Sequence, residues 1–151
     1  MMPPMNCGRW ITLLVLWASG CSSAVPGRVF DASRGVLIDP QAIEWTEAER
    51  AAQIAVLEVR RGNWSSEHIV RLAGAEKPHV HQRHDVVVTL LSGRVRMHLG
   101  DQVFEMRAGD VANIPHGTSH WAENLVRDGA STAYAIFTPP YDGQDNEPAQ
   151  R

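Results

Sequence analysis

The sequence predicts an all-β domain, a sandwich or barrel of short strands, and three observations predict it. From residue 54 onward the chain breaks into strand-length runs rich in Val, Ile and Thr: IAVLEVR, EHIVRLA, DVVVTLL, RVRMHLG, QVFEMRA, DVANIP, SHWAEN and STAYAIFT. Short turn-forming segments, RRGN, AGAEKP, SGR, GDQ, AGD and PHGT, separate them at near-even spacing. Within a run the pattern alternates: in RVRMHLG, Val95, Met97 and Leu99 share one face, and Arg94, Arg96 and His98 the other. With 151 residues, 44% of them hydrophobic, the chain fits one domain that can bury a core without crosslinks.

The elements divide in order. Residues 1–20 read as a signal peptide: MMPPMNCGRW carries one cation, Arg9, and no acid, and WITLLVLWA is an apolar run too short to span a bilayer. Ala18, Ser19 and Gly20 lead into Cys21 in a way that resembles the lipobox of bacterial lipoproteins, in which the cysteine is lipidated and becomes the mature N-terminus. Ala18 departs from the branched residue usual three positions before the cysteine, so an ordinary signal peptide cut after a small residue, or a buried N-terminal strand, stands as the alternative. The two cysteines, Cys7 and Cys21, both lie in this segment, which leaves no disulfide framework for the rest. Ser22 after the cysteine would allow outer-membrane sorting in a Gram-negative host. The expected location is therefore the cell envelope, anchored by lipid and facing the periplasm or cell surface, or else secreted.

Residues 21–44 read as a tether or irregular arm, given the small, turn-rich stretch SSAVPGRVFDASRG. A helical turn is predicted at TEAERAAQ, with Thr46 as cap and Glu49 three residues on. Residues 45–140 form the β domain. The ending PPYDGQDNEPAQR reads as a loose polar tail over 141–151, unless PPYDGQD folds over the mouth of the domain. His98 reads as a solvent-facing or rim residue, and His68, beside Glu67 at a strand start, likewise.

Charge excludes some partners. Lys and Arg total 14 against 17 Asp and Glu, a net charge of −3, so no field is present to hold nucleic acid or an anionic membrane surface.

The candidate chemistry begins at PHVHQRHD, residues 78–85. Residues two apart on a strand point the same way, so His79 and His81 can aim both imidazoles at one point, a spacing that suits a metal. Thirty residues on, Gly109, Pro115, Gly117, His120 and Asn124 stand as G(x)5PxG(x)2H(x)3N, a tight Pro-x-Gly turn delivering a histidine onto the next strand.

This second stretch resembles the second motif of the cupin family, and GAEKPHVHQRHDVVVTLLSG resembles the first, normally G(x)5HxH(x)3,4E(x)6G. The resemblance covers about residues 52–139. It implies a double-stranded β-helix, or jelly-roll barrel, whose interior holds a divalent metal on three histidines and one carboxylate; by position the histidines are His79, His81 and His120. Two departures bear on the carboxylate. Asp85 stands after His81 at the (x)3 spacing, where the motif has glutamate, but seven residues rather than six separate it from Gly93, and counting back from Gly93 reaches Val86. A bulge before the Ser92-Gly93 turn would absorb the extra residue. Strand parity puts His79, His81 and Asp85 on one face and His84 on the other, which favours Asp85 as fourth ligand; His84, or no protein ligand at all, remain the alternatives. His116 reads as exposed, and Gln82 and Arg83 as loop or rim.

Imidazole-rich ligation suits Mn, Fe, Co, Ni, Cu or Zn and disfavours Mg and Ca. Two functions follow. The domain is either a metalloenzyme with open positions for a small polar substrate, of dioxygenase, isomerase or lyase type, or a non-catalytic module binding or sensing a small ligand or metal. Tyr134, His84 and Glu105 are candidates for proton transfer if they point inward, whereas Trp121 and Met97 read as core. A homodimer is a family expectation.

Overall fold

Each of the eight predicted runs is a strand in the computed structural model, which describes residues 26–149. In chain order the strands are β1 (Val29–Asp31), β2 (Val36–Ile38), β3 (Ile54–Arg61), β4 (Ser66–Leu72), β5 (His79–Val80), β6 (Asp85–Ser92), β7 (Arg94–Leu99), β8 (Gln102–Arg107), β9 (Val111–Ile114), β10 (His120–Asn124), β11 (Ser131–Thr138) and β12 (Glu147–Pro148). Helix α1 (Glu47–Ala51) starts at the predicted cap: the Glu49 amide donates to Thr46 Oγ1, and the Thr46 amide donates to the Glu49 carboxylate. Cys7, Cys21 and the rest of the signal-peptide reading lie outside the described residues.

Two five-stranded antiparallel sheets carry the domain, in the orders β12-β5-β10-β7-β8 and β3-β4-β11-β6-β9. Consecutive strands alternate between the sheets over much of the chain, giving a jelly roll of the double-stranded β-helix type. The two sheets face each other around the core. Among the described residues no helix is long and apolar enough to cross a membrane.

The core lies between the sheets. Leu72, Leu90, Val95, Met97, Met106, Ala112 and Ala122 form one buried cluster, and Val86, Ile114 and Ala135 a second. Full burial of a Leu or Met side chain stabilises by about 1.5–3 kcal/mol. The alternation predicted for β7 holds: Val95 and Met97 are buried, and Arg94 and Arg96 exposed.

Three expectations need correction. The arm is not irregular throughout: Val29–Asp31 pairs with Val36–Ile38 in a hairpin, tied down where Arg34 donates to the Val59 carbonyl. His68 is buried rather than at the rim, because it sits mid-strand on the inner face, with Nε2 2.8 Å from Ser66 Oγ and its ring edge-on to Phe137. The C-terminal residues are not loose either. β12 pairs with β5, and Asp145 is among the most deeply buried side chains of the domain.

Candidate metal centre

His79 and His120 are cross-strand partners on β5 and β10, so the antiparallel register alone puts two imidazoles side by side. His81 follows two residues after His79 and shares its face. The ring centroids lie 4.3 Å (His79–His120), 5.0 Å (His79–His81) and 5.2 Å (His81–His120) apart. One nitrogen from each ring falls within 4.8 Å of the others, and all three residues are buried. The turn between the motifs fixes this meeting: Gly117, at φ +75°, donates its amide to the His81 carbonyl at 2.7 Å.

The outer nitrogens determine the tautomers. His79 Nδ1 donates to the Lys77 carbonyl and His120 Nδ1 to the Thr118 carbonyl, each at 2.9 Å, and His81 Nδ1 donates to the carbonyl of Asp145. A carbonyl can only accept, so each Nδ1 carries a proton, and in the neutral form of each ring Nε2 keeps its lone pair. Burial lowers the pKa of His81, and it lowers that of His120 to about 4, helped by the two neighbouring imidazoles. Neutral rings with converging Nε2 lone pairs fit a divalent transition metal and do not suit Mg or Ca.

Asp85 does not join the three histidines. Asp85 is exposed and accepts from the amide and Nδ1 of His116, each at 2.8 Å, which lowers its pKa and turns it away from the histidines. The parity argument fails because the strand is interrupted: β5 ends at Val80 and β6 begins at Asp85, with a turn between them. β6 does shift register against β11 between Leu90 and Ser92, but that bulge does not bring Asp85 inward. The inward position belongs to Val86, which packs with Ile114 and Ala135. His84 is buried but committed elsewhere, with Nδ1 2.5 Å from Asp145 Oδ2. Burial of Asp145 alone would raise its pKa; hydrogen bonds from His84 and from the Arg83 and Gln82 amides outweigh it and hold the carboxyl well below its usual range.

Of the other candidates, Tyr134 donates to Glu67 at 2.7 Å, which together with burial raises its pKa, and Glu105 is exposed beside Arg94. His116 is exposed, as are Gln82 and Arg83, as expected. His98 is largely covered by Trp121, stacked on it at 4.0 Å on the outer face, so neither ring enters the site. Met97 lines the interior.

The carboxylate that sequence reasoning missed is Glu76. It lines, with the three histidines, a cavity of about 100 Å³ whose remaining walls are chiefly apolar. Its backbone amide donates to the Ala122 carbonyl at 2.9 Å, and its Oε2 accepts from the Ala122 amide at 2.8 Å, so β10 holds it in place. Burial raises its pKa, against the opposing effects of His79 and the Ala122 amide. It lies three residues before His79, in a segment with no strand period, and a spacing rule that places the acid after the histidines passes over it.

A jelly roll with three converging histidines inside defines a class of β-sandwich proteins with a candidate metal site, and the comparisons with known proteins agree on the fold. Residues 68–137 match the family described as Cupin domain. An uncharacterized protein of Aquifex aeolicus (strain VF5) is 32% identical over 117 residues, covering 74% of this chain and 95% of that protein. Among solved structures, KdgF from Halomonas sp. superposes with a TM-score of 0.60 at 25% identity, over 70% of this chain and 95% of that one. An uncharacterized conserved protein with a double-stranded β-helix domain from Klebsiella pneumoniae gives a TM-score of 0.55 at 22% identity, over 66% of this chain and 88% of that one. The chain belongs to the cupin superfamily, with one cupin domain matched in it.

Proposed function

We propose that this cupin is a metal-dependent enzyme of the cell envelope that moves a proton on a small polar substrate, in isomerase or lyase chemistry. The observation that carries the reading is Glu76, a half-buried carboxylate sharing one cavity with the three buried histidines His79, His81 and His120. The histidines would hold a divalent transition metal, which when bound supplies Lewis-acid polarisation of a carbonyl or carboxylate oxygen. Glu76 takes a proton from the carbon beside that group and returns it elsewhere on the substrate. Its Oε2 is occupied by the Ala122 amide, so Oε1 is the atom that accepts the proton. Burial, by raising the Glu76 pKa, brings this carboxylate closer to the working range of a general base.

Metal analysis of the purified protein tests the first half: up to one equivalent of Mn, Fe, Co, Ni, Cu or Zn is expected. No metal, together with a Tm indifferent to added Mn, Fe, Ni or Zn, defeats it. Glu76→Gln keeps an acceptor for the Ala122 amide, so it should retain metal and ligand binding while turnover of a ligand found by thermal-shift screening falls about 10²–10⁴-fold. Undiminished turnover would remove Glu76 from the chemistry, and a wild-type protein that binds the ligand without turning it over would leave the alternative, a module that binds or senses a small ligand or metal; the lack of a carboxylate at the usual ligand position favours that alternative.

The envelope location rests on the lipobox-like segment ending at Cys21. Cys21→Ser should move the protein from the membrane fraction to the soluble one, and unchanged fractionation refutes the anchor.

A further inference from the structure

Two of the cluster histidines are oriented by their own strands: His79 and His120 each donate to the carbonyl two residues earlier. His81 is oriented from elsewhere. The carbonyl that receives its Nδ1 proton belongs to Asp145, 64 positions later in the chain.

That carbonyl is held in place by the Asp145 side chain. Oδ1 accepts from the Gln82 amide at 2.9 Å, and Oδ2 accepts from the Arg83 amide at 2.8 Å and from His84 Nδ1 at 2.5 Å. One carboxylate therefore gathers the three residues that follow His81. The flanks are tied as well: the Tyr141 amide donates to Ser66 Oγ at 2.9 Å, and the Ala149 amide to the Pro78 carbonyl at 3.1 Å. The Tyr141 ring closes against both His81 and His84, with centroids 5.6 and 5.4 Å away. Residues 141–149 thus form a strap across the turn that leaves the metal centre, anchored at both ends and pinned in the middle.

We infer that Asp145 is a positioning residue for the metal centre: its carboxylate pins the strap to the Gln82–His84 turn, and its main-chain carbonyl thereby fixes the tautomer and ring orientation of His81. The inference rests on the reading of His79, His81 and His120 as metal ligands. Without a carbonyl at that point, the buried Nδ1–H of His81 loses its acceptor. The ring then relieves the loss by turning or by moving its proton, and either change takes the Nε2 lone pair away from the convergence point. Hydrogen bonds of this kind to ligating histidines commonly carry 10–100-fold in metal affinity. Every residue has a main-chain carbonyl, so a substitution at 145 acts through the loss of the anchor and not of the acceptor itself.

The test is a Co(II) titration of the metal-free protein, read by d–d absorption, with Tm measured in parallel. Asp145→Ala should bind Co(II) about 10–100-fold more weakly and show a changed absorption band. Asp145→Asn, which keeps one acceptor oxygen for a backbone amide but loses the charge facing His84, should fall between, and it carries the test if the alanine variant does not fold. Ile69→Val, which thins the core away from the site, should lower Tm while leaving Co(II) affinity and spectrum unchanged. That contrast separates positioning from a general loss of stability. Folded Asp145 variants with wild-type affinity and spectrum overturn the inference while leaving the metal site standing. A wild-type protein that binds no Co(II) removes the metal reading and the inference together.

Discussion

A single residue shows how local the rules of strand geometry are. Asp85 and Val86 compete for one inward position, and the apolar side chain takes it because the position opens on Ile114 and Ala135. A carboxylate there would be desolvated against hydrocarbon unless it touched the metal, and aspartate is a methylene shorter than the glutamate of the usual motif. Outside, the same carboxylate finds two donors on His116. Asp85→Ala should therefore leave metal content and Co(II) affinity unchanged. A tenfold loss of affinity would return Asp85 to the ligand set. Parity counted from His81 pointed the other way because it assumed unbroken strand, and the residues between carry a turn. His79, His81 and His120 were legible because two lie two apart and the third follows a Pro-x-Gly turn, all within short stretches of chain. Glu76 was not, since its inward direction is set by pairing with Ala122, which nothing in its own neighbourhood records.

At the scale of elements, the β6–β7 hairpin decides whether the bulged strand can rejoin the sheet in register. Gly93 sits at φ +86°, and a Cβ there would meet the Ser131 hydroxyl at 2.4 Å and the Ser131 Cα at 2.8 Å. Ser131 cannot withdraw, because its hydroxyl accepts from the Arg94 amide at 3.0 Å and also lies 2.8 Å from Asn124 Oδ1. Asn124 in turn donates to the Gly129 carbonyl and receives the Val126 amide, so the asparagine of the second motif closes a loop and stands outside the histidine cluster. Gly93→Ala should cost about 2–4 kcal/mol in urea unfolding, from the left-handed backbone together with the clash. Gly100→Ala, at φ +55° with open space around it, should cost only about 1–2 kcal/mol. Equal costs would mean that the Ser131 contact yields without penalty. Long strands with one face in the core were readable from alternation, whereas β5 and β12, two residues each, are too short to have a period. Their existence depends on what lies beside them.

For the whole molecule, the metal centre is where separate parts of the chain are joined. β5 reaches the sheet only through β10 on one side and β12 on the other, and the histidines stand on that β5–β10 seam. The strap at 141–149 adds the C-terminal end to the same point through Asp145. In the unfolded chain His79 and His81 remain near each other but His120 does not, so a divalent metal binds the folded state in preference and stabilises it by linkage. At a free metal concentration 100-fold above Kd that is about 2.7 kcal/mol, a rise in Tm on the order of 10 °C for a domain of this size. Stripping the purified protein with EDTA should lower Tm by about that amount, and restoring Zn or Mn should recover it. His120→Ala, which leaves only the local pair, should have a Tm that neither treatment moves. If the stripped and loaded proteins melt together while elemental analysis shows the metal present, the metal sits without holding the β5–β10 seam.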